Sequence, residues 1–250
     1  MTLTLHATHA LALLRRIAAQ NGPAALASSF GAEDMVLIDL IGRHVLPIHV
    51  FTLDTGRLHE ETYALIDRVR SHYGLSIATY APDAKALEAF VETNGANPFY
   101  RSVELRKACC AVRKTAPLAR ALAGKAAWIT GLRRAQSVTR GDVGLEELDA
   151  VHGIPKFNPL IDWSEDDVWD YLRTHGVPYN PLHDRGFPSI GCAPCTRAIE
   201  PGEDIRAGRW WWEQPEHKEC GLHPRAAAGA LPAAQSATRL PSEAASEAVL

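Results

Sequence analysis

The sequence has no run of 18 uninterrupted apolar residues, and Met1–Leu14 lacks the basic region, long apolar core and small-residue cleavage site of a secretory signal. A membrane span and secretion are therefore not expected, and the cytoplasm is the expected location. Positive charge is not in excess: 26 Lys and Arg stand against 29 Asp and Glu, for a net charge of -3. That balance offers no polybasic face to nucleic acid or to a membrane surface. The Walker A pattern, G-x-G-x-x-G and the S-G-G-x-D-S pyrophosphate loop are all missing, and no internal repeat is evident. Cysteine is scarce and odd in number, with five in all, which does not make a disulfide framework. Thiols kept reduced are better suited to metal binding or redox chemistry.

A chain of 250 residues with 46% hydrophobic and 22% charged side chains can bury a full core. Its elements alternate. A leading helix covers residues 8–20 and stops at Asn21-Gly22-Pro23. Strands are expected over Ala24–Phe30, Leu46–Leu53, Ser76–Tyr80 and Ala126–Thr130, with helices over Met35–Ile41, Leu58–Tyr73, Asp83–Val91 and Cys110–Leu122 between them. Phe157–Ile161 reads as an edge segment because Pro159 removes a ladder donor, and Ser164 caps a last helix ending at Gly176. This order predicts an α/β fold with a parallel sheet covered by helices on both faces. Residues 1–223 are expected to form one domain, and the alanine-rich 224–250 a disordered tail.

Two strand ends have the composition of an anion site. Ser28-Ser29-Phe30-Gly31-Ala32-Glu33-Asp34 combines small hydroxyl residues and a glycine, which let backbone amides approach a phosphate or sulfate. Asp34 could meet a ribose hydroxyl. Asp54-Thr55-Gly56 closes the next strand. Either loop alone is an ordinary turn, but two at successive strand ends argue for a nucleotide.

The cysteines divide into four and one. Cys109-Cys110 and Cys192-x-x-Cys195 could hold one tetrahedral zinc or one 4Fe-4S cluster. Adjacent thiolates point in different directions, which suits the larger object. Cys220 is left unpaired beside His217, Lys218 and His223, and nearby cations favour its nucleophilic thiolate.

Cys109-Cys110, the run Ile190–Arg197 (I-G-C-A-P-C-T-R), Gly208–Trp212 (G-R-W-W-W) and Lys218–His223 (K-E-C-G-L-H) occur in that order. In these motifs, and from about Ala24 to His223, the chain resembles the assimilatory sulfonucleotide reductases, specifically the adenylyl-sulfate (APS) reductases. The resemblance implies a Rossmann-like fold of the adenine nucleotide alpha hydrolase type. It further implies reduction of APS to sulfite and AMP for cysteine biosynthesis, with thioredoxin or a similar dithiol as donor. Cys109, Cys110, Cys192 and Cys195 would hold one 4Fe-4S cluster per subunit, and Cys220 would be the nucleophile. Lys114 would lie between cluster and substrate, while Arg140, Arg206 and Arg209 would clamp the phosphosulfate and His223 would belong to the nucleophile's motif. The loop departs from many relatives in reading Ser-Ser-Phe-Gly rather than Ser-Phe-Ser-Gly.

Because Cys220 has to meet first the substrate and then the donor, residues 202–223 are expected to be mobile. The alternatives are reduction of the 3'-phosphorylated substrate (PAPS), ATP-dependent tRNA thiolation, and a zinc-stabilised binding module without catalysis. Oligomeric state is left open, homo-oligomers included.

Overall fold

The computed structural model describes residues 3–136 and 143–214. In chain order the elements are α1 (Leu3–Gln20), β1 (Ala24–Ser28), α2 (Ala32–Arg43), β2 (Ile48–Leu53), α3 (Glu60–Tyr73), β3 (Ile77–Tyr80), α4 (Ala84–Asn94), α5 (Val103–Cys110) and α6 (Ala116–Leu122). They are followed by β4 (Ala127–Ile129), β5 (Glu146–Asp149), β6 (Ile154–Phe157) and α7 (Glu165–His175). Among the described residues no helix is long and apolar enough to cross a membrane.

The sheet order is β3-β2-β1-β4-β6-β5, parallel throughout except for β5, which pairs antiparallel with β6. Alternating side chains of the central strands feed two cores. Leu26, Val50 and Ile129 pack with α1, α2, α3 and α7 on one face, while Ala25, Phe51 and Trp128 meet Leu118, Ala121 and Leu122 of α6 on the other. The chain builds outward from β1 to β3, then returns to lay β4 on the opposite side of β1. A topological switch between β1 and β4 opens a crevice at the carboxyl ends of the strands.

Two details differ from the sequence reading. The segment expected as an edge, Phe157–Ile161, is strand only at Phe157; β6 lies inside the sheet, its proline is Pro155, and the edge is β5. Asn158 explains the early stop. Its side chain accepts from the Thr130 hydroxyl at 2.5 Å and donates to Gly144 O at 2.8 Å, and its carbonyl accepts from Ile161 N in a turn. The helix expected over Cys110–Leu122 starts earlier, at Val103 with Ser102 as its cap, and passes through a π turn at Ala111–Thr115 before α6. Pro117 lacks the N–H that would bond to Arg113 in an α-helix, so the backbone widens there.

Beneath α2, Asp39 is fully buried and accepts from Tyr73 OH, Tyr171 OH and Arg43 Nε, each at 2.7 Å. One carboxylate thereby ties α2 to α3 and α7. Asp39→Ala would strand two tyrosine hydroxyls and is expected to cost about 3 kcal/mol of stability, read as a lowered urea midpoint.

Candidate active site

The carboxyl ends of β1, β2 and β4 open onto one large cleft lined by Ser28, Ser29, Gly31, Asp34, Thr55 and Thr130, with Lys114, Arg206 and Arg209 facing in from other elements. The Ser28–Asp34 loop is held from within. Asp34 Oδ2 accepts from Ser29 N at 2.6 Å and from Ser29 Oγ at 2.9 Å, and Ser28 Oγ accepts from Phe30 N at 3.1 Å. Phe30, the residue that departs from many relatives, is buried with φ of +61°, a left-handed conformation that costs a phenylalanine energy and persists only under constraint from its surroundings. Asp34, expected to reach a ribose, therefore directs one oxygen into its own loop. Its other oxygen crowds Gly131, where a Cβ would lie 2.5 Å from Oδ1, so glycine is required at that close approach. Burial pushes the Asp34 carboxyl up to about 6, against the lowering effect of the Ser29 bonds.

The second loop has a different role from the first. Asp54 Oδ1 accepts from Gly56 N and from Tyr63 OH, and neither Asp54 nor Gly56 lines the cleft. Thr55 does line it, and its hydroxyl lies 3.2 Å from Cys192 Sγ while its carbonyl accepts from Arg113 Nη1 at 2.6 Å. This turn therefore links the nucleotide side to the cysteines.

Cys109, Cys110, Cys192 and Cys195 are all buried and line one small cavity together with Arg57, Arg106, Arg113 and Lys114. Cys109 and Cys110 end α5, while Cys192 caps and Cys195 closes a single 3-10 turn whose Ala193 amide donates to Arg57 O at 2.8 Å and whose Cys195 amide donates to Cys192 O at 2.9 Å. Among the described residues no three His, Cys, Asp or Glu side chains converge closely enough for a single metal ion. A tetrahedral zinc would need sulfurs about 2.3 Å from one centre. Four buried thiols around one cavity, with Arg57, Arg106, Arg113 and Lys114 in its wall, supply a ligand set and a counter-charge for a group that is anionic once ligated. Burial pushes the Cys195 thiol up to about 12, with Cys192 adding to the rise and Lys114 and Arg209 opposing it. Cys109 is raised too, by burial first and against the pull of Arg113. Ligation at these thiols would release protons.

Lys114, Cys192 and Trp210 line both the cysteine cavity and the cleft, so a single layer of side chains separates the two. Lys114 comes from the π turn immediately after the cysteine pair, and such turns re-aim side chains. Arg209 stands 4.8 Å over the Trp210 ring, and Nη1 donates weakly to Ser189 Oγ and Ile190 O at 3.3 and 3.4 Å. A Cβ on Gly191 would collide with that guanidinium, so Gly191 makes room for Arg209. The segment carrying Arg206 and Arg209 is docked on the cysteine turn by an isolated bridge between Thr196 and Arg209 and by Trp210 N donating to Cys195 O.

Arg140, Cys220 and His223 lie outside the described residues, as do residues 215–223 of the segment expected to move and the tail 224–250. In and just behind the cleft lie residues the sequence did not single out. His183 lines it beside Glu33, and its imidazole is lowered below the usual histidine range by burial. Arg133, itself buried, pairs with Glu33 at 2.8 Å and joins the end of β4 to α2. Neither carries a local pattern; both are assembled by tertiary contacts.

Residues 23–198 match the phosphoadenosine phosphosulfate reductase domain family. An adenosine 5'-phosphosulfate reductase of Allochromatium vinosum is 56% identical over 236 residues, 94% of this chain and 92% of that protein. One from Burkholderia cepacia is 57% identical over 212 residues, 85% of each chain. Among solved structures, phosphoadenylyl-sulfate (PAPS) reductase from Candida auris, in a phosphate complex, matches with a TM-score of 0.66 at 25% identity, covering 79% of this chain and 96% of that one. The ammonia-dependent NAD synthetase of Campylobacter jejuni matches at 12% identity with a TM-score of 0.52, covering 76% of this chain and 80% of that one, a likeness of fold alone.

Proposed function

The chain belongs to the phosphoadenosine phosphosulfate reductase domain family, and on that premise we propose the chemistry by which it reduces adenylyl sulfate to sulfite and AMP. The observation that carries the reading is the shared wall: Lys114 and Cys192 face the cysteine cavity on one side and the nucleotide cleft on the other. A sulfate in the cleft against that wall would meet Lys114, Arg206 and Arg209, while the AMP portion occupies the ends of β1 and β4.

In this reading the Cys220 thiolate attacks the sulfate sulfur. The S–O bond to the nucleotide phosphate breaks, AMP leaves with the electron pair, and an S-sulfocysteine forms on Cys220. A thiolate of an external dithiol, thioredoxin being our choice, then attacks the Cys220 sulfur and expels sulfite. The donor's second thiol resolves the mixed disulfide, so the dithiol supplies both electrons and returns Cys220 to the thiolate. The first step brings an anion to an anion. Lys114, Arg206 and Arg209 reduce that repulsion and stabilise the charge that builds on the leaving phosphate.

Cys109, Cys110, Cys192 and Cys195 would hold a 4Fe-4S cluster, whose contribution when bound would be a fixed charge organising Lys114 rather than electron transfer. We assign the enzyme to the cytoplasm. Incubating purified brown protein with APS and PAPS in parallel, with thioredoxin as donor, tests the reading. Sulfite is expected from APS in preference to PAPS. Preference for PAPS would reassign the substrate, and sulfite from neither would overturn the reading.

A further inference from the structure

Arg106, one of the cations in the wall of the cysteine cavity, forms a buried ion pair with Glu213 to which the sulfonyl-transfer reading gives no role. Nε and Nη2 of Arg106 each donate to a different Glu213 carboxylate oxygen, both at 2.9 Å, and the two side chains are 1% and 3% exposed. The Arg106 guanidinium also stands 4.6 Å over the Trp210 ring, in the same aromatic group as Phe99 and Trp212. Two parallel bonds fix a planar guanidinium in angle as well as in distance. Removing two charges from water is expensive, and a buried pair is as stable as packed apolar residues only at good geometry. A pair of this kind is therefore weak evidence for stability. What it does fix is the register between two elements.

The two elements are informative. Arg106 lies on α5 one turn before Cys109 and Cys110, and Glu213 closes the segment that carries Arg206 and Arg209. Cys220 follows Glu213 by seven residues in sequence. At ~3.4 Å per residue a tether of that length reaches at most about 24 Å. Where Glu213 is held therefore bounds the space that Cys220 can reach.

We propose that Arg106 and Glu213 are positioning residues: the clasp fixes the root of the Cys220 tether against the helix bearing the cysteine pair, and so sets where the thiolate can strike. This rests on the reading of Cys220 as nucleophile. The pair touches neither substrate nor reacting atoms. Its loss should slow the first displacement while leaving nucleotide binding intact, because a small misplacement of a reacting group lowers rate far more than affinity.

The test uses holoenzyme and measures single-turnover AMP release from APS without a thiol donor, together with visible absorbance per chain and AMP affinity. Glu213→Gln is expected to slow AMP release about 10-fold, with colour and AMP affinity within about twofold of the parent. Gln leaves Arg106 buried without its counter-charge, so the double variant Arg106→Met with Glu213→Met serves as partner, leaving no charge unpaired. Because it also removes a cation from the cavity wall, its AMP release is read per unit of colour, and on that scale it should show the same loss. Glu213→Asp keeps the charge and should recover part of the rate. AMP release at the parental rate in both the Gln and the double variant overturns the proposal, and so does a rate that falls only in proportion to colour, which would make the pair a prop for the cavity. Cys220→Ser run in parallel separates the two levels: normal AMP release from that variant would remove the nucleophile reading itself.

Discussion

Cys220→Ser enzyme is expected to keep its brown colour and its AMP affinity and to lose sulfite release by ~10⁴-fold or more. Serine fails at both displacements. Its hydroxyl is protonated at neutral pH and is a poor nucleophile toward sulfate sulfur. Were it to react, the product would be a sulfate ester with no S–S bond, so a dithiol would find no sulfur to attack and the sulfate would stay unreduced. The other thiols offer no substitute, because Cys109, Cys110, Cys192 and Cys195 are buried and, as ligands in the loaded enzyme, would not be free to attack. Cys220 differs in its setting, with His217, Lys218 and His223 near it in sequence to favour the thiolate. The measurement is sulfite production with thioredoxin, alongside single-turnover AMP release. Turnover of more than a few per cent in the serine variant would end the assignment.

The parts of this molecule legible in sequence are those where one local signal suffices. The strand-to-helix unit from Ala24 to Arg43 is a short apolar run followed by small residues and then a helical period. The capping arrangement at Ser164 is present in full, with Asp167 as its reciprocal partner. The β5–β6 hairpin was missed because Glu146-Glu147-Leu148-Asp149 shows no apolar alternation and Pro155 sits inside β6. The π turn was missed because nothing in Ala111–Thr115 marks it apart from the proline two residues on. In the site, the cysteine set was legible from spacing, whereas Asp34 was legible only as to place. Its residue type suggested a sugar contact, but the fold turns one oxygen onto Ser29 and confines the other against Gly131. His183, the Glu33–Arg133 pair and the Arg106–Glu213 clasp join residues far apart in sequence, and no single window of sequence contains them.

The wall between cavity and cleft explains why the cavity's cysteines and the cleft's cations are encoded side by side. Cys110 and Lys114 are four residues apart, Cys192 follows Gly191, and Gly191 is what admits Arg209. In the proposed reading, a group held in the cavity would fix the backbone from which the cations project, which would give the cysteines a part in catalysis without electron transfer, the dithiol supplying the electrons.

Lys114→Ala separates that arrangement from its charge. The substitution removes a cation from the wall without removing a thiolate, so visible absorbance per chain is expected to be unchanged. The catalytic rate is expected to fall ~10²–10³-fold, the usual loss when one preorganised donor to a developing anion is removed. The split between parameters carries the argument. AMP lacks the sulfate that faces Lys114, so its affinity should barely change, while kcat for APS should fall more than KM rises if the lysine acts on charge that builds during displacement. Among the described residues Arg206 and Arg209 remain on the cleft side, and they would keep ground-state binding largely intact. A variant whose KM rises with kcat unchanged would reduce Lys114 to a uniform binding contact. A variant that loses its colour would show that the lysine supports the cysteine cavity and not the reaction.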